Sequence, residues 1–373
     1  MTLQLTAFSA ATSSIMAGLA AAKQEMSSRY LTANAAATPL AAFGFRASAL
    51  AASGASNIVG VGIDEKHVDG VPSGVQSIKF LVRSKVAPSS LSKTETIPKQ
   101  VNGIPTDVEE VGNIVPQGKK KASARRVAAA PQAEAMPNPR QKIRPAPPGS
   151  SVGFQIPGGQ FVMAGTFGLL VKDAQGNKYI LSNNHVIAGE NGVDAGGVTR
   201  ITIPAGSPIF QPGFLDGGNA ATDQVASLTR WIKLRADRTD NLVDGAIAKL
   251  KSAGIATRNI MFIGAPQGVA TATVDTVVHK FGRTTSYRAG RVSSVSFDVT
   301  IPYDVGNVVF QDQIAVRGLS GKRFSDSGDS GSAILERATN KVVGLLFAGA
   351  TNGSLTFANH IQDVFAKLKV SLA

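Results

Sequence analysis

From residue 152 to the C-terminus the chain is a succession of short β-type runs, each closed off by Gly, Asn, Asp or Pro. This rhythm restricts the fold more than any other feature of the sequence. The runs include 165–171, 178–182, 199–203, 244–250, 273–281, 290–301, 308–316, 331–335 and 341–348. About ten strands over ~220 residues, with turn residues between them, suit two antiparallel barrels or a sandwich. Thirty-nine glycines supply the tight turns that such folds need. Only residues 360–368, with Ile361, Val364, Phe365 and Leu368 at helical spacing, predict a closing helix.

The N-terminal part has a different character. Residues 1–55 are rich in Ala and Ser; 7–30 suit a helix and 33–56 read as loosely ordered. From Asn57 two strands are expected, 57–63 and 77–83, with turns at Asp69-Gly70 and Ser73-Gly74. A helical turn near 89–92 and an extended segment at 108–111 complete a small α+β unit, 56–116. It carries one histidine, His67, and no convergent polar cluster is expected, so it reads as a structural or recognition module. The formal charge of +13 then finds its place: residues 117–150 hold eight Lys and Arg residues against Glu134. That Pro/Ala-rich stretch, 117–151, reads as a solvated linker, exposed to proteolysis, in preference to a docking segment for acidic partners or membrane surfaces, or a specific nucleic-acid reader.

The chain has no cysteine, which excludes disulfides, a thiol nucleophile and Cys-based metal sites. No run of 18 apolar residues is present to span a membrane, and the N-terminus lacks the basic flank of a signal peptide. A cytoplasmic location is favoured slightly over a secreted one. Neither a cofactor nor a metal is expected, and the oligomeric state is left open.

Three motifs carry chemistry when taken together. The run Tyr179-Ile180-Leu181-Ser182-Asn183-Asn184-His185-Val186 ends a buried-type strand in a turn that presents an imidazole. Leu242-Val243-Asp244-Gly245-Ala246-Ile247 places an acid at the entry to an apolar strand, where a charge is costly without a partner. Phe324-Ser325-Asp326-Ser327-Gly328-Asp329-Ser330-Gly331-Ser332 sets a serine between glycines, where the N–H groups of Gly328 and Ser330 can converge on a developing oxyanion. Each motif is weak alone. The order His185, Asp244, Ser330 is that of a serine-nucleophile triad: a hydroxyl needs a base near neutral pKa, and the base needs an acid to fix its tautomer. His67, His279 and His360 lie in positions that compete poorly for that role.

These motifs make residues 152–373 resemble the chymotrypsin/trypsin family of serine peptidases, in the style of its cysteine-free bacterial members. Gly282-Arg283-Thr284-Thr285 with Gly290-Arg291-Val292 resembles the opening of the second barrel. Val343-Gly344-Leu345-Leu346-Phe347-Ala348-Gly349 resembles the strand that walls the specificity pocket. The resemblance implies an all-β fold of two six-stranded antiparallel barrels with the site between them. It also implies a serine endopeptidase working through an acyl-enzyme, with Phe324, Ser325, Phe347, Ala348 and Gly349 at the substrate pocket. A catalytically degenerate fold acting as a binding module is the other reading. Two positions depart from the family pattern: Ser332 stands where a second glycine is usual, and Phe324 where trypsin-like enzymes carry a pocket-floor acid. Small or apolar side chains are therefore expected before the scissile bond, unless Asp326 turns inward. Ile156-Pro157-Gly158-Gly159 faintly resembles the new N-terminus that, in animal members, pairs with the acid before the nucleophile, here Asp329. Otherwise local backbone donors satisfy that acid.

Overall fold

β-Branched and aromatic residues crowd the runs between turns, and these runs form the strands. The computed structural model describes residues 2–31, 57–91, 96–120, 137–155, 162–194, 196–200 and 203–373. In chain order, α1 (Thr2–Tyr30) precedes β1 (Ile58–Val68), β2 (Val71–Val82), β3 (Gln100–Val101), β4 (Ile104–Glu110) and β5 (Ile114–Pro116). The short strands β6 (Lys119–Lys120) and β7 (Ser151–Val152) follow. Next come β8 (Met163–Thr166), β9 (Leu169–Lys172), β10 (Lys178–Ser182), α2 (Asn184–Ile187), β11 (Gly192–Val193) and β12 (Thr199–Arg200). They are followed by β13 (Pro208–Phe210), β14 (Gln224–Trp231), β15 (Leu234–Arg235) and β16 (Ala246–Leu250). The last group is β17 (Val277–Gly282), β18 (Ser286–Tyr303), β19 (Gly306–Gly318), β20 (Ala333–Glu336), β21 (Val342–Ala350), β22 (Thr356–His360), α3 (Ile361–Leu368) and β23 (Ser371–Leu372).

Two barrels emerge. In the first, six strands pair in the order β13-β14-β16-β10-β9-β23, around a core that includes Phe154, Phe167, Ile180, Val186, Ile209 and Leu228. In the second, β17-β20-β21-β22-β19-β18 runs through antiparallel pairs and β18 returns to β17, so six strands close into a ring. Every residue of β21 is buried, as expected of an unbroken apolar run. Helix α3 follows, with Ile361, Val364 and Leu368 turned into the core.

The N-terminal unit extends the second barrel's sheet. β18 spans 18 residues, more than the ring uses, and three register shifts against β19 twist its far half outwards. That half would be an open edge; β1 pairs with it through Gly60↔Val299 and Gly62↔Phe297. Helix α1 covers the resulting layer, with Leu19, Ala22 and Met26 on one face against Ile58, Val61, Ile78 and Phe80. Burying side chains such as Leu19, Met26 and Phe80 contributes about 1.5–3 kcal/mol each, more than the helix's local propensity supplies.

The unit does hold a convergent polar cluster, contrary to the sequence-based expectation. Fully buried Lys79 lies 3.5 Å from Asp64, 3.3 Å from Asp107, 3.6 Å from Glu109 and 2.9 Å from His67 Nδ1. Arg317 of β19 reaches into it, 2.8 Å from Glu109 and 3.1 Å from Asp64. The strand alternation hid these groups, since they meet only in three dimensions. The cluster clamps the N-terminal unit onto the second barrel.

The segment expected to be a solvated linker is buried at both ends. Gln117 is buried on one side, and Ala146, Val152 and the residues between them on the other. Its middle, 121–136, lies outside the described residues, as do 33–56 and Ile156–Gly159.

Candidate active site

β10 ends at Ser182, and Asn183 in extended conformation opens the single turn α2 that carries His185. The turn is held from its flanks: Asn183 Nδ2 donates to Asp244 O at 2.7 Å, and Asn184 Nδ2 to Asn191 O and Ile232 O at 2.8 and 2.6 Å. These bonds bring His185 against Asp244, which lies just before β16. His185 Nδ1 is 2.5 Å from Asp244 Oδ2, and its backbone N–H donates to Oδ1 at 3.2 Å. Both residues are essentially inaccessible to solvent. A carboxylate facing Nδ1 holds the proton there and leaves Nε2 with its lone pair. Nε2 is buried and has no hydrogen-bond partner among the described residues.

A third group joins them. The Tyr303 hydroxyl donates to Asp244 Oδ2 at 2.6 Å. Burial, followed by the neighbouring Asp244 charge, pushes this phenol well above its usual range, so it remains a donor. Asn359 Oδ1 accepts the Asp244 N–H at 3.1 Å, and Asn359 Nδ2 donates to Gln313 Oε1 at 2.7 Å. The carboxylate is fully desolvated, yet it receives three donors.

The 324–332 turn is built around Asp329. Its carboxylate accepts from the N–H groups of Thr284 at 2.9 Å, Thr285 at 3.1 Å and Asp326 at 3.0 Å, and from Thr285 Oγ1 at 2.7 Å. Lys280 Nζ stands 3.0 Å away, with both side chains fully buried. Burial alone would raise the Asp329 carboxyl, but the Lys280 charge and these donors outweigh it and hold it below its ordinary value. Burial pushes the Lys280 ammonium down, against the pull of Asp329. Asp329 thus has both backbone donors and a cation from its own barrel. Gly328 takes φ +104°, in the left-handed region that favours glycine, and this turns its N–H into the cleft.

A segment from outside the barrels lies in that cleft. β5 pairs antiparallel with the wall strand β21, through Ala348↔Pro116 and Gly349↔Val115. The Gln117 N–H donates to Phe347 O at 3.0 Å, and the Gln117 carbonyl accepts from Gly328 N–H and, at 3.4 Å, from Ser330 N–H. Gly118 then passes over the imidazole so closely that a Cβ there would stand 2.7 Å from His185 Cδ2 and 3.0 Å from Nε2. Beyond it, β6 pairs with β8. Ser330 Oγ donates to Phe347 O at 2.9 Å.

The sequence-derived pocket residues part company. The Gln117 carboxamide lies directly over Gly349. The Phe347 ring packs on Phe310 in the barrel core, centroids 4.8 Å apart, so only its carbonyl faces the site. Ala348 is buried, and Ser325 Oγ shares a 2.6 Å hydrogen bond with Thr356 Oγ1. Phe324 is buried in a core cluster with Val278, Val292, Val316 and Leu346. Asp326 is half-exposed, 3.4 Å from Arg323.

The trypsin family profile matches residues 143–368. The chain belongs to the trypsin family. Among solved structures it is similar to Thermobifida fusca protease A, at 15% identity and TM-score 0.40 over 61% of this chain and 97% of that one. It is also similar to Cellulomonas bogoriensis chymotrypsin, at 16% identity and TM-score 0.39 over 61% and 97%. A glutamic acid-specific serine protease matches at 16% identity and TM-score 0.41 over 61% and 99%. No curated protein matches in sequence. Residues 1–142 lie outside the family match.

The sequence reading did not find Tyr303, Lys280, Asn359, Gln117 or Gly118. Tyr303 closes a strand and Lys280 sits inside one, so neither carries a local signal. Gln117-Gly118 opens a basic stretch that looks like linker. Their roles depend on pairings between residues tens or hundreds of positions apart.

Proposed function

We propose that the chain is a serine endopeptidase in which Ser330 is the nucleophile, His185 the base and Asp244 the residue that orients it. One observation carries the reading: a peptide carbonyl lies against the N–H groups of Gly328 and Ser330, with the paired His185 and Asp244 beside it. Two convergent N–H donors in a water-poor cleft favour an oxyanion over a neutral carbonyl oxygen.

In the reaction, Ser330 Oγ leaves Phe347 O and attacks the carbonyl carbon while its proton passes to His185 Nε2. Collapse of the tetrahedral adduct breaks the C–N bond, and the His185 proton goes to the departing amine. Water then attacks the acyl-enzyme and gives a proton to His185, which returns it to Ser330 as the carboxylic product leaves. Asp244, assisted by Tyr303, keeps Nδ1 protonated and stabilises the imidazolium. The resting serine bond to Phe347 fits this scheme, since catalytic hydrogen bonds often form only in the reacting complex.

The test is labelling with a fluorophosphonate and hydrolysis of a peptide library. Labelling at Ser330, lost in Ser330→Ala together with a fall of several orders of magnitude in kcat, is expected. Full peptide turnover by Ser330→Ala would remove the proposal. A binding module would take up peptides without labelling or turnover.

A further inference from the structure

The segment in the cleft is aligned as a substrate, and from this we infer that the Gln117–Gly118 peptide bond is cut by the chain's own Ser330, leaving glutamine at the new C-terminus. The inference rests on the peptidase reading above and names a substrate for it.

Each part of the pose has a chemical reason. Residues 114–116 add a strand to β21, the arrangement by which an extended peptide is held through its backbone. The Gln117 N–H is anchored on Phe347 O, and its carbonyl oxygen sits on the two donors that an oxyanion would need. The next residue, Gly118, lies against His185, the group that must protonate the departing amine. Ser327 Oγ donates to Gly118 O at 3.3 Å, and Lys119 and Lys120 pair with Ala164 and Met163 on the far side. The chain is thus held on both sides of one bond, with two donors at its carbonyl and His185 against the residue that carries its amine. Holding reactants in this way replaces a bimolecular encounter by a unimolecular one. Glycine at 118 is required by the approach, since any Cβ would press on the imidazole ring.

The balance is that of a hydrolysis: the Gln117 C–N bond breaks, Ser330 carries the acyl group, and one water yields a Gln117 carboxylate and a Gly118 amine. The pose also indicates preference. Gln117 is buried, its uncharged carboxamide packs over Gly349, and half-exposed Asp326 lies near Arg323. A side chain of glutamine's size and neutrality is accepted there, whereas a buried Lys or Arg would lack a counter-ion. After cleavage, the N-terminal product stays on the barrel through β1–β18 and the Lys79–Arg317 cluster.

The experiment uses the full chain, with intact mass and N-terminal sequencing under denaturing conditions over time and at several protein concentrations. Fragments 1–117 and 118–373, a new N-terminus at Gly118 and a rate independent of concentration are expected. Ser330→Ala should stay whole, and Gln117→Lys should slow the cut at least tenfold while its thermal melt shows that it is folded. In parallel, the heptapeptide matching residues 114–120 should be cut at least tenfold faster than its counterpart with lysine in place of glutamine. A parent chain that remains whole, or is cut elsewhere, while labelling with fluorophosphonate at Ser330 overturns the inference and leaves the peptidase reading standing. Cleavage of Ser330→Ala at the same bond and rate overturns self-cleavage. A whole chain that neither labels nor cuts either peptide overturns both.

Discussion

Replacing Lys280 by methionine tests the support of the turn that carries Ser330. The Lys280 ammonium and the Asp329 carboxylate are 3.0 Å apart with no solvent at either. Removing one member of such a pair typically costs about 3–5 kcal/mol, because the remaining charge stays buried without its counter-ion. Asp329 keeps its donors from Thr284, Thr285 and Asp326, which places Lys280→Met near the lower end, at about 3 kcal/mol. Against a usual total of roughly 5–15 kcal/mol this is large, and urea or guanidinium unfolding will show it. The double variant Lys280→Met/Asp329→Asn removes both charges and should recover most of the loss. The pH dependence should change sign. In the parent the Asp329 carboxyl is held below its ordinary value, so its stabilisation is present above about pH 4 and is lost as pH falls through the depressed value. Without Lys280, burial dominates and raises that value. The folded variant then takes up a proton, and its stability should rise as pH falls from 7 towards 4. Turnover should fall with the single variant, since the Gly328 and Ser330 N–H groups belong to the same turn. A single variant within 1 kcal/mol of the parent, or a double variant no better than the single, would show that the turn does not rest on this pair.

Three further outcomes are expected. Tyr303→Phe removes a 2.6 Å hydrogen bond to a buried carboxylate, worth about 1.5–3 kcal/mol, so kcat should fall roughly 10–100-fold with KM little changed; an unaltered kcat would show that the hydroxyl does no positioning. Gly118→Val places atoms 2.7 Å from His185 Cδ2 and should slow appearance of the two fragments about 100-fold; an unchanged time course would mean that Gly118 does not lie there in the reacting chain. Burial alone would raise the Glu109 and Asp107 carboxyls, but Arg317 and Lys79 contacts for the first, and the His67 N–H and Lys79 for the second, hold them below their ordinary values. The clamp is therefore intact above about pH 4 and weakens as pH falls through the depressed values. In size-exclusion runs a nicked chain should keep fragment 1–117 at pH 7 and release it near pH 3, and co-elution at both would refute the clamp.

Much of the peptidase half can be read from local sequence. The β-runs between turn residues, the apolar stretch of β21 and the spacing of Ile361, Val364 and Leu368 are short-range patterns, and the strands and helix α3 follow them. The residues His185, Asp244 and Ser330 could be named because imidazole, buried acid and glycine-flanked hydroxyl are each unusual in their local settings. The two ends of the 117–151 segment misled, because composition reports what a stretch can do in solvent and is silent on what another strand offers it. Gln117 is buried because β21 has an edge for it. Likewise Lys79 looks like an error in an apolar strand until Asp64, Asp107, Glu109 and Arg317 close around it.

The sequence alone determined the period of the strands, the cysteine-free chemistry and the identity of the candidate nucleophile, base and acid. These depend on side-chain type and on neighbours within a few residues. Tertiary structure alone decided that β18 continues into the N-terminal unit, that Lys280 and Tyr303 hold Asp329 and Asp244, and that Gln117-Gly118 crosses the cleft. Each of these joins groups between 49 and 239 residues apart, such as Lys280–Asp329 and Val299–Gly60. Desolvation makes such contacts matter, since a buried charge or carbonyl must find its partner wherever the fold supplies one, and no local pattern records where that is.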